Sequence, residues 1–508
     1  MTEAADLLLT NAEVHTLTRP DETAEAVAVR DGRIVRVGDA YELDFLAGVD
    51  TRTIDLDGRV LLPGFVDAHT HLDTVGRKRV HADLSTTKSR AAAVGALRDR
   101  AAAVDDDDPV LGFGYDESAW DERGYLTRSD LDAVDAAGPV VAVREDLHVA
   151  SLDSTALARF GDDLPDDGVH LEAGEPTGVV VERAAEAVLD ALAPDESETE
   201  RLLRAAQTYA NERGVTTVHD MVRRSSAPRV YRDLDRDGEL TLRVRLNYWA
   251  DHLDALVETG LRTNHGDGRV RIGAIKTFTD GSIGGRTARL SAPYADAPDE
   301  RGEWTVAPAA FRDLLDRAEA AGFQVAAHAI GDEAVDDVVD AFAGADRGVR
   351  HRIEHAELAS DEAIDRMADA GLVASIQPNF HRWAGEEGLY ADRLGDRRTE
   401  TNRLRRLADA GVILAFGSDC MPLDPLAGVA HAVDAPTDPQ RLGVTEALRA
   451  YTLGGAYAGF DEDRLGTVET GKRADFVVLE ASPWDTDDIG AIDAALTVVD
   501  GEVVYDGR

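Results

Sequence analysis

Cysteine is almost absent from this 508-residue chain, which contains only Cys420. A single cysteine cannot form an intrachain disulfide, so nothing in the sequence indicates an oxidising compartment. Long apolar runs are also missing, and no stretch approaches the roughly 20 residues that cross a bilayer. The apolar run 7–9 is too short for a signal peptide, and no basic residue precedes it. We therefore expect a soluble cytoplasmic protein with no membrane partner.

Lysine is the second scarce residue type. It occurs only at Lys78, Lys88, Lys276 and Lys472, so arginine carries nearly all the positive charge. Acidic residues number 98 against 54 Lys and Arg, which gives a formal net charge of −44. Such a field repels nucleic acids and anionic membranes, and we expect neither as a partner. Excess acid with little lysine resembles the cytosolic proteins of salt-accumulating halophiles, whose charges are screened by salt. An acidic protein from an ordinary mesophile is the alternative.

The two ends of the chain share a β-like pattern. Asp31-Gly32 separates two short alternating segments near the N-terminus, and Asp500-Gly501 separates two near the C-terminus. Both dipeptides are typical of tight hairpin turns. Neither end can cover its own apolar face, so we predict that the two ends pair into one small β-sandwich. The predicted sandwich comprises residues 1–60 and 460–508.

The middle of the chain alternates strand-like and helix-like segments from about residue 198 onward, which is typical of a parallel α/β sheet. Together with the apolar run before His69, this gives eight strands. Eight β/α units predict a TIM-type (β/α)8 barrel over 61–459, with a large insertion after the first strand at about 73–198. The predicted strands are Val60–Val66, Val215–His219, Leu242–Tyr248, Val270–Phe278, Gln324–Ala329, Arg352–His355, Leu372–Gln377 and Val412–Gly417.

Two histidines, His69 and His71, follow the first predicted strand at spacing i, i+2. Alternate residues of a strand point to the same face, so both imidazoles leave the strand on one side. The C-terminal ends of barrel strands are where such enzymes build their sites. Neutral imidazole is the commonest protein ligand for a catalytic divalent metal. The pair therefore predicts a metal site, with an extended loop carrying two solvated histidines as the alternative.

Metal-binding side chains follow four further predicted strands. Barrel closure brings these strand ends together, so matches on five strands support one another. Taken singly, His328 or His355 is better explained as a core histidine, and Asp419 as a helix N-cap. The complete set is His69, His71, Lys276, His328, His355 and Asp419.

This set resembles the ligand pattern of the amidohydrolase superfamily, and Pro63–His71 resembles its first-strand motif. The segment 471–479 is similar to the strand that closes the β-sandwich of that family. The segments 175–178, 276–288 and 328–332 are similar to the amidohydrolase 3 branch that contains N-substituted formamide deformylase. The resemblance extends over nearly the whole chain.

The resemblance implies a two-metal centre, with zinc as the metal, or iron, manganese or cobalt in its place. His69, His71 and Asp419 would hold one ion, and His328 and His355 the other. Lys276, carbamylated on its amine, would bridge them. An independent argument is that this arginine-rich chain keeps lysine at 276, since only a primary amine can react with carbon dioxide. The alternative is a buried cation paired with Asp280 or Asp419.

By the same resemblance, a hydroxide between the metals would attack the substrate carbonyl, and Asp419 would pass its proton to the leaving nitrogen. This predicts a metal-dependent hydrolase of a non-peptide C–N bond in a small-molecule amide, including an N-substituted formamide. The family also implies a homodimer. The alternatives are a mononuclear deaminase, whose site lacks the strand-four lysine, and a non-catalytic relative, which would have lost ligands. Esterase or lactonase activity would use the same atoms.

Six further residues are candidates for the substrate cleft, although loop ion pairs and capping explain each of them equally well. Glu354 is a candidate for orienting His355 or a neighbouring ligand, but in a regular strand it points away from His355. Cys420 is interpreted as a small buried apolar residue. The cleft candidates are Tyr115, Asp116, His148, Asp280, Arg286 and Trp304.

Overall fold

The computed structural model describes residues 4–104, 108–145 and 147–508. The chain divides into two compact units. The first contains Met1–His71, Gln207–Arg224 and Tyr231–Arg508, and the second contains Leu72–Ala206 and Ser225–Val230. Within the described part of the chain, no helix is both long enough and apolar enough to span a membrane.

The first unit contains a nearly closed barrel of eight parallel strands, each paired with the next along the chain, which confirms the predicted TIM-type fold. The first and last strands meet where the Asp419 N–H donates to the His69 carbonyl at 2.8 Å. The approach is so close that a Cβ on Gly417 would lie 2.4 Å from the His69 backbone nitrogen. The strands are Phe65–Thr70, Val215–Val222, Arg243–Trp249, Val270–Phe278, Val325–Ala329, Arg352–His355, Val373–Ile376 and Ile413–Phe416.

The predicted first strand, Val60–Val66, is wrong, because this apolar run forms two strands in two different sheets. Val60–Pro63 pairs antiparallel with Phe476–Leu479 in a terminal sheet, and the barrel strand begins only at Phe65. The change of partner occurs at Gly64, whose N–H donates to the Asp475 carbonyl at 2.9 Å. A continuous apolar run hides this change, since both strands are fully buried.

Gly64 leaves no room for a side chain. A Cβ at this position would lie 2.3 Å from Cγ2 and 2.4 Å from Oγ1 of Thr216. We expect Gly64→Ala to lower the free energy of unfolding by about 1–3 kcal/mol, as is typical of overpacked sites. Denaturant unfolding measures this. Gly268→Ala is the control, because a Cβ at Gly268 meets nothing within 4 Å. Thr216→Ala should recover part of the loss; no recovery in the double variant would contradict the steric explanation.

The sandwich of the first unit is built from both ends of the chain, as predicted. Its two sheets share an apolar core that includes Leu9, Val29, Phe476 and Val498. Both predicted hairpin turns, at residues 31–32 and 500–501, have positive φ at each residue, as a type I′ turn requires. One sheet contains Arg33–Gly38, Ala26–Arg30, Leu7–Thr10 and Arg52–Asp55; the other contains Glu502–Asp506, Ala494–Val499, Phe476–Leu479, Val60–Pro63, Glu13–His15 and Thr23–Ala24.

The second unit has a mixed sheet of six strands with apolar cores centred on its two faces. The predicted insertion, about 73–198, lies within the range of this unit. Gly178, with φ of 89°, allows its strand to pass close to the backbone, since a Cβ there would lie 2.4 Å from the Leu152 carbonyl oxygen. The strands are Val169–Glu172, Glu175–Val181, Val149–Leu152, Val140–Arg144, Val110–Tyr115 and Ala82–Asp83.

The helices follow local capping signals. The helix Asp361–Ala370 begins after Ser360, whose hydroxyl accepts from the Ala363 N–H, and ends at Gly371 with φ of 67°. In the first unit the α-helices are Ala40–Leu43, Leu253–Glu258, Pro308–Ala320, Asp332–Phe342, Asp361–Ala370, Leu389–Leu394, Leu404–Ala410, Pro425–Val433, Val444–Arg449 and Gly455–Ala458; in the second they are Leu72–Val80, Arg90–Ala101, Arg128–Asp132, Ser154–Phe160 and Arg183–Ala191, while Glu196–Glu212 and Ala227–Arg236 belong to both.

Candidate metal centre

Three of the predicted ligands converge at the C-terminal end of the barrel. Asp419 Oδ1 lies 3.6 Å from His69 Nε2 and 3.4 Å from His71 Nε2. One donor atom from each residue lies within 4.8 Å of the others. This separation suits ligands that each approach one divalent ion to about 2.0–2.2 Å. The first and last barrel strands thus place two imidazoles and one carboxylate around a common point.

The position of Asp419 is fixed by its backbone. Asp419 and Cys420 both have positive φ, at 51° and 55°, which is an uncommon conformation for residues other than glycine and is typical of functional turns. The carboxylate of Asp67 stabilises the contact between the first barrel strand and the turn after the last one. It accepts from the N–H groups of His69 at 3.1 Å and Ser418 at 3.0 Å. Although burial opposes ionisation, hydrogen bonding from His71 and the nearby His69 hold the pKa of Asp419 well below its usual range. Asp419 is therefore a carboxylate at neutral pH.

A buried ion pair between Arg352 and Glu354 contacts the Nδ1 of His69. The Nδ1 of His69 hydrogen-bonds Glu354 Oε2 at 2.5 Å, and Arg352 Nε donates to Glu354 Oε1 at 2.7 Å. Both charged side chains are at most 1% exposed. Burial alone would raise the pKa of Glu354, but the charge of Arg352 and the contact with His69 bring it well below its usual range. Glu354 therefore orients His69 rather than His355. The alternation of side-chain directions ends at His355, whose φ is 71°.

His328 and His355 form a second pair beside the first. Their ring centres are 4.5 Å apart, and the rings of His69 and His355 are 5.0 Å apart. The Nδ1 of His355 hydrogen-bonds Gln377 Oε1 at 2.6 Å, and the Nε2 of His328 hydrogen-bonds the Gly281 carbonyl at 3.0 Å. Burial lowers the pKa of His355 to about 3 and that of His328 well below its usual value. Both imidazoles are thus neutral, the form that binds metal.

Lys276 lies in the same part of the barrel and is only 1% exposed. Its Nζ is 4.9 Å from the ring centre of Phe278 and 5.7 Å from that of Trp249. Among the described residues, no carboxylate lies within 4.0 Å of this nitrogen, so Lys276 forms a salt bridge with neither Asp280 nor Asp419. Burial lowers the pKa of Lys276 to about 8. A buried lysine without a carboxylate partner is an unusual and costly arrangement.

The family model for amidohydrolases matches residues 52–505. The chain belongs to the amidohydrolase family. It is 31% identical to the putative amidohydrolase YtcJ of Bacillus subtilis, over 97% of this chain and 98% of that protein. It is 27% identical to the N-substituted formamide deformylase of Arthrobacter pascens, over 100% of this chain and 99% of that protein. These matches confirm the resemblance found in the motifs.

A solved structure agrees with the fold of this amidohydrolase. An uncharacterized metal-dependent hydrolase from Pyrococcus furiosus superimposes with a TM-score of 0.80 and 30% sequence identity, over 94% of this chain and 100% of that chain. The protein is therefore a metal-dependent hydrolase of the amidohydrolase superfamily.

The residues of this amidohydrolase fit a divalent metal centre. The outer nitrogens of His69 and His355 are already hydrogen-bonded to Glu354 and Gln377, which leaves the Nε2 of each ring for a ligand. The imidazoles of His69, His328 and His355 have lowered pKa values and are neutral, and Asp419 is ionised, so these donors are in the states that metal binding requires. Nitrogen and oxygen donors of this kind suit zinc and its divalent neighbours.

The substrate-cleft candidates of the first unit make contacts of their own. Asp280 is fully buried, and its carboxylate accepts from the backbone N–H groups of Arg289 at 2.8 Å, Ile330 at 3.1 Å and Gly331 at 2.8 Å. The Arg286 guanidinium pairs with Asp296 at 2.7 Å, and Trp304 is half-buried. Asp280 thus joins the loops that follow strands four and five of the barrel. The substrate roles of these residues stay predictions.

The other three candidates belong to the second unit. Tyr115 is buried, lies 3.1 Å from Ser151 Oγ through its hydroxyl, and stacks on Trp120. Asp116 accepts from the Ser118 N–H at 3.0 Å. His148 is exposed, and its Nδ1 lies 3.1 Å from Glu182 Oε2. These contacts stabilise the second unit itself, and the proposed substrate roles of the three residues also stay predictions.

Sequence reasoning did not select several residues that complete the site. Gln377 ends the seventh predicted strand, and Trp249 and Phe278 each end an observed barrel strand. Their position at strand ends is the signal that would have found them. Asp67 and Arg352 carried no comparable signal, because their burial could not be known from the sequence. Cys420 is buried, 7% exposed, as the sequence predicted.

Proposed function

We propose that this amidohydrolase cleaves the C–N bond of a small amide, with an N-substituted formamide as the first candidate substrate. His69, His71 and Asp419 would hold one metal, and His328 and His355 a second, with carbamylated Lys276 between them. The observation that carries the proposal is the convergence of the Asp419 carboxylate with His69 and His71 at 3.4–3.6 Å. The similarity to N-substituted formamide deformylase supports the choice of substrate.

Asp419 is the group that moves the proton. The bound metals would supply Lewis acidity and lower the pKa of a water molecule. The ionised Asp419 accepts a proton from the attacking water and then delivers it to the leaving nitrogen. One C–O bond forms and one C–N bond breaks, so a formamide gives formate and an amine. Asp419 is ionised at neutral pH and so has a lone pair free for that proton.

The environment of Lys276 supports carbamylation. A neutral lysine amine adds to carbon dioxide, releases one proton and becomes a carbamate, an anion with two oxygen ligands. As a cation, Lys276 has no carboxylate within 4.0 Å among the described residues, and isolated buried charges are costly. As a carbamate it would instead be an anion, whose charge is favourable beside bound cations. The ring centres of Trp249 and Phe278 lie 5.7 and 4.9 Å from the amine, and the side chain is only 1% exposed.

Metal content and amide hydrolysis together test the function. Protein purified without chelator is expected to contain two metals per chain, measured by elemental analysis, and to release amine from members of an N-substituted formamide series. Removal of the metals should abolish the release, and added Zn²⁺ or Co²⁺ should restore it. One metal per chain, with release of ammonia from aminopurines or aminopyrimidines, would replace the proposal by a mononuclear deaminase.

A further inference from the structure

In the candidate centre, His69 differs from His328 and His355 in the charge of the group that hydrogen-bonds its ring. The Nδ1 of His69 faces a carboxylate, Glu354, at 2.5 Å, whereas the Nδ1 of His355 faces an amide, Gln377, at 2.6 Å. His328 faces the backbone carbonyl of Gly281 at 3.0 Å. A carboxylate behind a ligand histidine raises its basicity and fixes its orientation more strongly than a neutral acceptor does.

The charge of Glu354 is fixed by Arg352. The guanidinium donates to both carboxylate oxygens, at 2.7 and 3.1 Å. It is itself held in place by the Ala68 carbonyl at 2.6 Å and Ser375 Oγ at 3.0 Å, and it contacts His219 Nδ1 at 2.8 Å. An ion pair held by so many hydrogen bonds keeps its carboxylate ionised and immobile. His69 is therefore presented to the centre with its Nδ1–H directed at a fixed anion.

The hydrogen-bonding groups of the Gln377 side-chain amide are only partly satisfied. Its Oε1 accepts from His355, but its Nε2 is buried and has no hydrogen-bond partner. The amide orientation therefore depends on one hydrogen bond alone. His355 has no charged group at its hydrogen-bonded nitrogen. The Asp280 carboxylate lies 3.6 Å from His328 Nε2, beyond hydrogen-bonding distance, and already accepts from three backbone N–H groups. The side of the centre that contains these two histidines therefore receives less polarisation than His69 does.

We infer that the buried Arg352–Glu354 pair makes the His69, His71 and Asp419 position the tighter of two unequal metal sites. Glu354 is a positioning residue that acts through His69. The His328 and His355 position binds its ion more weakly, is filled second and is emptied first. This inference rests on the two-metal centre proposed above.

Metal affinity of matched variants tests the inference without an activity assay. Metal-free protein is titrated with Zn²⁺ in competition with a chromophoric chelator, and two dissociation constants are fitted. We expect Glu354→Gln to weaken the tighter site about 10–100-fold and to leave the weaker one within a few-fold. Gln377→Glu should do the reverse, tightening the weaker site about 10-fold and leaving the tighter one unchanged. Both substitutions conserve side-chain size.

Folding and site assignment need separate controls. If Glu354→Gln does not fold, because Arg352 is left without its anion, the double variant Arg352→Met/Glu354→Gln removes both charges together and should show the same weakening. His328→Ala should eliminate the weaker site and keep the tighter one. Unchanged constants in Glu354→Gln, or a loss confined to the weaker site, would overturn the inference. Wild-type protein that binds fewer than two metals would instead refute the proposed two-metal function, a result visible before any variant is made.

Discussion

Asp419→Asn should lower kcat by about 10²–10⁴-fold, the range expected for the loss of a general acid–base group. Asparagine has nearly the same shape and keeps an oxygen at the position of Oδ1, which lies 3.4 Å from His71. It cannot accept a proton from water, however, and it cannot deliver one to the leaving nitrogen. The backbone turn should survive, because asparagine tolerates the positive φ of 51° better than most residues. Steady-state kinetics on a hydrolysed amide, with far-ultraviolet circular dichroism for the fold, measure the effect.

Cys420→Ala is the matched control for this variant. Cys420 occupies the same left-handed turn, with φ of 55°, and is buried, but it has no carboxylate. We expect its kcat to stay within a few-fold of the wild-type value. The metal content of both variants distinguishes the loss of a proton-transfer group from the loss of a metal ligand. If Asp419 transfers the proton, Asp419→Asn stays defective in catalysis even when it is fully loaded with metal. Full activity of that variant would eliminate the proposed role.

The barrel was predictable because its strands are apolar runs separated by helical segments of regular length. Seven of the eight predicted strands begin within one residue of the observed ones, and the histidines lie at or just beyond the ends of their strands, as expected. The exception, Val60–Val66, shows the limit of this reasoning. The hydrophobic pattern of a segment predicts that it is buried in a sheet, but it does not identify the sheet to which the segment belongs. The decisive feature is steric, the contact between Gly64 and Thr216, and those residues are 152 positions apart.

The convergence of His69, His71 and Asp419 was predictable for a different reason. Histidines, a lysine and an aspartate at five strand ends meet in space whenever a parallel barrel closes. The groups behind the ligands were not predictable in the same way. In a regular strand, Glu354 and His355 would point to opposite faces, but the alternation ends at His355, whose φ is 71°. Arg352 pairs with Glu354, and Glu354 hydrogen-bonds His69. The absence of a carboxylate around Lys276, among the described residues, likewise depends on three-dimensional packing alone.

Lys276→Arg should retain the fold and lose the second metal. Arginine keeps a positive charge and a long side chain, but a guanidinium cannot form a carbamate. The expected metal content falls from two ions per chain to one, and amide hydrolysis falls with it. Lys276→Ala should lose the same metal, and added formate or acetate should restore part of both metal binding and activity, because a small carboxylate can occupy the space of the missing carbamate. Carbon-13 NMR of wild-type protein equilibrated with labelled bicarbonate should show a carbamate signal that both variants lack.

Lys472→Arg is the control for these variants. Lys472 pairs with Glu469 at 3.2 Å and donates to Thr467 Oγ1 at 2.6 Å, so its charge has the partners that Lys276 lacks. Arginine can replace such contacts, and we expect two metals per chain and unchanged hydrolysis. In contrast, two metals retained in Lys276→Arg would show that the second ion needs no carbamate, and Lys276 would then be a buried cation stabilised by Phe278 and Trp249. If Lys276 forms a carbamate, its replacement by arginine should cost a metal ion, whereas replacement of the paired Lys472 should not. The comparison of positions 276 and 472 therefore decides between these two explanations.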